Sequence, residues 1–235
     1  MSVQFDVVAF GPHPDDVEFV MAGTMIKFAR AGYKVIHIAL TDSAMSTHGD
    51  IETRRKEFEK AAKLIGCECR MLDFIDTGIE NDRESRVKIA TILRELKPKV
   101  VFAPYHTNPL GEPRGLAHVD HYTSGQLIRD SVKFARLQRI IPDLPAHAIS
   151  KLYFYMVPRD VWANFVVDVS DVIEETKAVI RAYASQVTPI IEGMSTTDVL
   201  IKRRAYAGIS IGSAYAETFV CDTPSRMRPE DFFRL

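Results

Sequence analysis

The chain has few cysteines and no long apolar segment. Its 235 residues include only three cysteines, Cys67, Cys69 and Cys221, which are too few for a disulfide framework. No apolar run approaches the roughly 20 residues that a membrane-spanning helix needs, and the N-terminus lacks the basic and apolar regions of a signal peptide. We therefore expect a cytoplasmic protein that does not enter a membrane.

The sequence also lacks an excess of charge and a glycine-rich nucleotide motif. The formal net charge is -1 at pH 7, so the composition does not favour binding to nucleic acid or to an anionic membrane. No Gly-x-Gly-x-x-Gly run follows the first predicted strand, which argues against a dinucleotide site. Hydrophobic residues make up 46% and charged residues 26%, as in ordinary globular proteins. The chain is long enough to form a stable core without cross-links.

Short β-branched runs alternate with longer amphipathic runs along the chain. The predicted strands are 5–10, 35–40, 70–74, 100–103, 152–156 and 165–169. The predicted helices are 17–31, 51–65, 84–96, 120–137, 170–183 and 198–207. This alternation predicts an α/β fold: a Rossmann-like, mainly parallel sheet with helices on both faces. Because no internal linker interrupts the pattern, we expect residues 1–235 to form a single domain.

Two polar clusters fall where predicted strands end. Gly11-Pro12-His13-Pro14-Asp15-Asp16 follows the first strand, and His118-Val119-Asp120-His121 follows the fourth strand and a long loop. Ligands of open parallel sheets bind beyond the carboxyl ends of the strands, so we expect both clusters to meet there in an active site. Each cluster alone has an ordinary explanation, since paired aspartates often cap helices and a histidine-rich loop is often simply solvated.

The residue types in the two clusters suit a catalytic metal ion. Catalytic zinc typically takes three His, Asp or Glu ligands and keeps one position open for water. His13 and Asp16 can face one point across a proline-stiffened turn, and either His118 or His121 completes the set. Zinc lowers the pKa of its water toward about 7, which leaves Asp15 to take the proton. The remaining histidine is then available to polarise a carbonyl or stabilise an oxyanion.

Both clusters resemble the motifs of a known enzyme family. His13-Pro14-Asp15-Asp16, with Val17-Glu18 and Gly23-Thr24, is similar to the first motif of the LmbE-like (PIG-L) N-acetylglucosaminyl deacetylases, and the second cluster is similar to their second motif. The resemblance continues through 53–57, 101–105 and 165–171, and looks closest to the branch that deacetylates N-acetylglucosaminyl-malate for bacillithiol synthesis. The family usually has proline where this chain has Val119, and that branch often has arginine where this chain has Ala117.

The resemblance implies a zinc-dependent N-deacetylase that acts on a small acylated amino sugar. The implied ligands of one zinc ion per chain are His13, Asp16 and His121. The implied catalytic groups are Asp15 as general base and His118, oriented by Asp120, as the group that stabilises the oxyanion. Arg54 matches a substrate-contacting arginine of the family. Family members are commonly oligomers, often hexamers, so we expect a homo-oligomer to which the aromatic tail 224–235 contributes.

Two other functions fit the same residues. One is a sugar- or nucleotide-binding protein on a Rossmann-like sheet without catalysis, and the other is a metal-dependent amidase for a different acylated amine. A site with two nitrogens and one oxygen also accepts other first-row divalent ions. The metal content of the purified protein separates enzyme from binder, and a panel of N-acetylated sugars and conjugates separates the substrates.

Overall fold

The computed structural model of the chain describes residues 4–107, 118–158, 161–187, 189–191 and 193–222. The strands are β1 (Val7–Gly11), β2 (Val35–Ala39), β3 (Glu68–Met71), β4 (Val100–Pro104), β5 (Lys151–Tyr155), β6 (Phe165–Asp168), β7 (Pro189–Ile191), β8 (Met194–Ser195) and β9 (Ala216–Phe219). The helices are α1 (Asp16–Arg30), α2 (Ile51–Ile65), α3 (Arg83–Leu96), α4 (Val119–Ala135), α5 (Ile173–Arg181) and α6 (Thr196–Ile209). Ala117 lies outside the described residues, and so does the tail 224–235, which we expected to contribute to a homo-oligomer.

Five parallel strands form the central sheet in the order β3-β2-β1-β4-β5. The chain builds outward from β1 to β3 and then returns to add β4 and β5 on the other side of β1. The strand order therefore reverses between β1 and β4, and a crevice opens at the carboxyl ends of these two strands. The two sequence motifs follow these two strands.

Helices cover both faces of the sheet, which confirms the predicted fold class. Alternate residues of β1 point to opposite faces, as in any strand. Val7 and Ala9 belong to the apolar cluster that includes side chains of α1, α2 and α5. Val8 and Phe10 belong to a second cluster with side chains of α3 and α4. None of the described helices is long and apolar enough to cross a membrane.

Two strand pairs lie outside the central sheet. β6 and β9 run antiparallel to each other, and β7 and β8 form a second antiparallel pair. The residue after β9 continues along the edge of β5, because the amide and carbonyl of Val220 exchange hydrogen bonds of 2.9 and 2.7 Å with Phe154. The C-terminal part of the described chain is thereby attached to the edge of the sheet.

A buried ion pair repairs a break in α1, the helix that follows the first motif. The helix leaves regular geometry at Met21, where φ is -137° and ψ is 24°. In an unbroken helix the amide of Gly23 donates to the carbonyl of Phe19. Here Gly23 donates to the Glu217 carboxylate at 3.0 Å, and Arg204 Nη1 donates to the Phe19 carbonyl at 3.0 Å. Arg204 and Glu217 also pair with each other at 2.8 Å, so one ion pair satisfies both free backbone groups.

A glycine lets α4 lie close to the end of β4. A Cβ atom on Gly125 would come within 2.4 Å of the Pro104 carbonyl oxygen and 2.8 Å of the His106 Cα. Real Cβ atoms do not approach backbone atoms so closely, so a larger residue would push the helix away. The helix that begins with the second motif is thereby held at the crevice.

Candidate metal and catalytic site

The two motifs line one cavity at the crevice between β1 and β4. The cavity has a volume of about 340 Å³. Its lining residues are His13, Asp15, Asp16, Ser43, Met45, Ser46, Thr47, Arg54, Asp76, Thr77, His118, His121 and Gln186. The structure brings six of the seven site residues predicted from the sequence to this cavity, and the seventh, Asp120, is buried directly behind it.

His13, Asp16 and His121 direct three donor atoms at a common point. Asp16 Oδ2 lies 3.1 Å from His13 Nδ1, and Asp16 Oδ1 lies 3.1 Å from His121 Nε2. One donor atom from each residue falls within 4.8 Å of the others, a spacing that a single metal ion can bridge. Burial raises the pKa of Asp16, but the charge and hydrogen bonds of His121 and the hydrogen bond of His13 outweigh it and hold the pKa well below its usual range. The Asp16 carboxylate is therefore ionised at neutral pH.

Two carboxylates face the other ring nitrogen of His13. Asp76 Oδ1 lies 3.1 Å from His13 Nε2, and Asp120 Oδ2 lies 3.5 Å from it. Burial lowers the pKa of His13, but its hydrogen bonds to Asp120 and Asp16, together with nearby negative charge, raise the pKa to about 11. Asp76 was not predicted as a site residue. Its position five residues beyond β3 follows the same rule that located the two motifs.

Asp15 carries a carboxylate on a strained backbone. Its φ of 134° and ψ of -30° are rare for a residue with a side chain, and such conformations typically cost about 1–3 kcal/mol. The carboxylate accepts a hydrogen bond of 2.8 Å from Arg54 Nη2. Burial and then the negative charge of Asp16 raise the pKa of Asp15 to about 7, against the opposing effect of Arg54. Strain and a shifted pKa at one residue are typical of a functional position.

His118 stands at the start of α4 and faces the cavity. Its Nδ1 accepts a hydrogen bond of 3.3 Å from the Asp120 amide, and its ring packs edge-on against that of His13 at 4.8 Å. The Asp120 carboxylate lies 3.8 Å from His118 Nδ1 and instead accepts from the Thr77 amide at 2.8 Å. It is therefore the backbone of Asp120, rather than its carboxylate, that is hydrogen-bonded to the imidazole of His118.

A loop between β2 and α2 covers one side of the cavity. Its Met45 amide donates to Asp76 Oδ2 at 2.8 Å, and its His48 carbonyl accepts from Gln186 Nε2 at 2.7 Å. Within it, the Ser43 hydroxyl is buried and has no hydrogen-bond partner among the described residues. Gln186 was not predicted from the sequence, since it follows α5 and belongs to no recognisable motif.

Arg54 lies in the first turn of α2 and reaches under the first motif. The residue is 2% exposed, and Nη2 donates to the Pro14 carbonyl as well as to Asp15. The contacts shown by this arginine, which we predicted to bind substrate, are thus made with the motif itself.

Several curated proteins with related sequences carry deacetylase names. The chain is 33% identical over 193 residues to a diacetylchitobiose deacetylase of Thermococcus kodakarensis, covering 77% of this chain and 69% of that protein. It is 25% identical over 134 residues to a probable N-acetyl-alpha-D-glucosaminyl L-malate deacetylase 2 of Bacillus anthracis, covering 52% and 56% of the two chains.

Two solved structures match almost the whole chain. The conserved protein TT1542 of Thermus thermophilus superposes with a TM-score of 0.85 at 30% identity, over 96% of this chain and 98% of that one. The N,N'-diacetylchitobiose deacetylase of Pyrococcus horikoshii superposes with a TM-score of 0.80 at 30% identity, over 97% and 85%. Together the fold and these relatives define the class of protein, a hydrolase of N-acetyl amide bonds.

The family follows from the sequence profile. The PIG-L profile, described as GlcNAc-PI de-N-acetylase, matches residues 8–132, which is more than half of the chain. This span begins in β1 and includes both motifs. The chain belongs to the PIG-L family, and the resemblance seen in the sequence is confirmed.

Proposed function

We propose that this chain removes the acetyl group from an N-acetylglucosamine-type amino sugar. In this proposal the reaction uses a divalent metal ion, with zinc as the first candidate, and Asp15 as general base. The observation that carries the proposal is the meeting of three donors from His13, Asp16 and His121 beside the Asp15 carboxylate in one cavity. The deacetylase names of the relatives support the reaction and the sugar.

The three donors fit a catalytic zinc ion. Two imidazole nitrogens and one carboxylate form a ligand set that catalytic zinc uses while keeping a position open for water. Asp76 faces the outer nitrogen of His13, as a carboxylate commonly does for a metal-binding histidine. When bound, the ion supplies Lewis acidity, which lowers the pKa of a water molecule toward about 7 and polarises the amide carbonyl.

Asp15 moves the proton in the proposed reaction. Its carboxylate accepts a proton from the attacking water and returns it to the nitrogen of the departing amine. A base is most effective when its pKa lies near the working pH, and in the metal-free site burial raises the pKa of Asp15 toward that range. Arg54 holds one oxygen of this carboxylate, which leaves the other oxygen to exchange the proton.

His118 donates a hydrogen bond to the oxygen of the reacting carbonyl in this proposal. Because its Nδ1 accepts from the Asp120 amide, the proton of a neutral ring resides on Nε2. The side chain is 40% exposed at the cavity, so Nε2–H is available to substrate. Such a donor stabilises the negative charge that develops on the carbonyl oxygen during hydrolysis.

The polar lining of the cavity supports a sugar as substrate. Ser43, Asp76 and Gln186 all line the cavity. Hydroxyl, carboxylate and amide groups are the kinds of group that bond to sugar hydroxyls. We therefore propose that these three residues contact the sugar ring.

We also propose that residues 1–235 act as one catalytic domain. The cavity is lined by residues from His13 to Gln186, and Phe219 of β9 packs in the same apolar cluster as Val7 of β1. Division of the chain would separate parts of a single site and a single core.

The proposal is tested with purified protein, N,N'-diacetylchitobiose and N-acetylglucosamine as probes, acetate release as the assay, and metal analysis. We expect Asp15→Asn to keep its metal and lose about 10²- to 10⁴-fold in kcat, because a general base contributes that much. His121→Ala should lose both metal and activity. The matched control is Asp171→Asn, an exposed carboxylate 63% accessible on the surface, which should leave kcat unchanged.

Each alternative predicts a different result. Full activity of Asp15→Asn would overturn the assignment of the base. If the protein contains metal and does not hydrolyse either sugar, but releases acetate or another acid from other acylated amines, it is a different amidase. A protein that binds either sugar without metal and without acetate release would identify a non-catalytic binder.

A further inference from the structure

We propose that Arg54 is a positioning residue that holds Asp15 in its reactive geometry. The inference rests on the proposed function, since it assigns Arg54 to the carboxylate that we propose as general base. It gives this arginine a role beside the substrate contact that the family resemblance implies.

One nitrogen of Arg54 contacts both the backbone just before the strained residue and the side chain of that residue. Nη2 donates to the Pro14 carbonyl, which belongs to the peptide bond before Asp15, and also to Asp15 Oδ2 at 2.8 Å. The φ of 134° at Asp15 lies in a region that residues with side chains rarely adopt. A strained residue keeps such a conformation only where its surroundings fix it, and these two bonds fix both the backbone and the carboxylate.

The rest of the guanidinium group is enclosed by protein. Its Nε and Nη1 atoms are buried and have no hydrogen-bond partner among the described residues. Nη1 faces Glu57 Oε2 at 3.7 Å, too far for a hydrogen bond, and the guanidinium carbon lies 5.6 Å from the centre of the Tyr183 ring. The hydrogen bonds that Arg54 makes with the described residues are therefore those of Nη2 with the first motif.

The neighbours of Arg54 are themselves fixed. Both oxygens of Glu57 accept hydrogen bonds of 2.7 Å from the amide and hydroxyl of Ser185. A Cβ on Gly49 would come within 2.9 Å of the Ser185 hydroxyl, so the chain is closely packed on this side as well. Two buried donors without partners are unfavourable for stability, so stability alone does not account for an arginine here. Its contacts with the Pro14 carbonyl and Asp15 do account for it.

The test compares Arg54→Met and Arg54→Lys with Arg55→Met as the matched control. Arg55 is the next residue of α2 and is exposed. We expect Arg54→Met to lose about 10²-fold in kcat with N,N'-diacetylchitobiose, the typical effect of misplacing a catalytic group, while its metal content stays unchanged. Arg54→Lys keeps a charge that can reach one of the two acceptors and should recover part of the loss. Arg55→Met should behave as the unmodified enzyme.

A double-mutant cycle with Asp15→Asn gives the decisive comparison. If Arg54 acts through Asp15, then adding Arg54→Met to Asp15→Asn should not lower the residual kcat any further. Amide hydrogen exchange in the 13–16 segment should also rise in Arg54→Met and remain unchanged in Arg55→Met.

Two results would overturn the inference. One is a raised KM with unchanged kcat in Arg54→Met or, if that variant does not fold, in Arg54→Lys. The other is an additive loss in the double variant. Either would return Arg54 to substrate binding. Failure of the proposed function is a separate result, because it appears as no acetate release by the unmodified protein or as full activity of Asp15→Asn, whatever the Arg54 variants do.

Discussion

Asp76 connects the first motif to the loop over the cavity. One oxygen lies 3.1 Å from His13 Nε2, and the other accepts the Met45 amide at 2.8 Å. A carboxylate on the outer nitrogen of a metal-binding histidine orients the ring and raises its basicity. Loss of this carboxylate lowers metal affinity by about 10- to 100-fold. We therefore predict that Asp76→Asn binds zinc about 10- to 100-fold more weakly, as measured by competition with a chelator.

The control for this prediction is Asp73→Asn. Asp73 lies in the same connection after β3, but it is 86% exposed and pairs with Lys88 at the surface. It should bind zinc as the unmodified protein does. Equal affinities for the Asp76 and Asp73 variants would contradict the role given to Asp76.

The residues of the two motifs could be predicted because their types and spacing carry the chemistry. His13, Asp16 and His121 meet because they follow strands that become neighbours across the switch point. Asp76 follows β3 in the same way, but β3 is short and half exposed, so the end of that strand was poorly defined in the sequence. The contacts of Arg54 could not be predicted, since they depend on a backbone angle at Asp15 that the sequence does not specify.

At the scale of elements, the break in α1 depends on residues nearly 200 positions away. Glu217 of β9 accepts from Gly23 and Thr24 and pairs with Arg204 of α6. Glu217→Ala would leave two buried amides and one buried guanidinium without their acceptor. Removal of one partner from a buried ion pair typically costs about 3–5 kcal/mol. We predict a loss of about that size in the free energy of unfolding, measured in urea.

A second substitution identifies the source of that loss. Arg204→Met added to Glu217→Ala removes the charge that was left unpaired, so it should recover part of the stability. The matched control is Glu175→Ala on α5, which removes the exposed partner of Arg30 and should leave stability unchanged. A loss from Glu217→Ala no larger than that of the control would contradict the role of the ion pair.

The same ion pair explains why one strand, β9, was not predicted from the sequence. The predicted helix 51–65 has the bounds of α2, and the predicted strand 35–40 differs from β2 by one residue, because both have a regular apolar pattern. β9 was missed because a buried glutamate interrupts its apolar residues, and the reason for that glutamate lies in α1. β6 was predicted as a strand, but its antiparallel pairing required β9.

For the whole molecule, the metal site links folding, proton binding and metal binding. The pKa of His13 rises from 6.5 to about 11 in the metal-free protein, because the neighbouring carboxylates outweigh the effect of burial. A raised histidine pKa stabilises the folded state below pH 6.5, and this contribution is lost as the pH rises toward 11. The metal-free protein should therefore lose part of its stability across this range.

Metal binding has the opposite pH dependence, because a histidine must be neutral to bind a metal. A bound ion would take the place of a proton on His13. Burial lowers the pKa of His121, but the charge and hydrogen bond of Asp16 outweigh it and raise the pKa above its usual value. We predict that zinc binding releases protons and tightens as the pH rises above 6.5. The difference in unfolding free energy between zinc-loaded and metal-free protein should therefore widen with pH.

Two measurements test this linkage. Calorimetric titration with zinc in two buffers of different ionisation enthalpy counts the protons released, and urea unfolding at a series of pH values gives the stability of each form. His48→Ala is the control, because His48 lies in the covering loop outside the group of three donors and should leave both quantities unchanged. A stability difference that stays constant with pH, with no proton release, would mean that His13 is already neutral before zinc arrives. In that case the surrounding carboxylates do not keep His13 protonated, and zinc has no proton to displace from it.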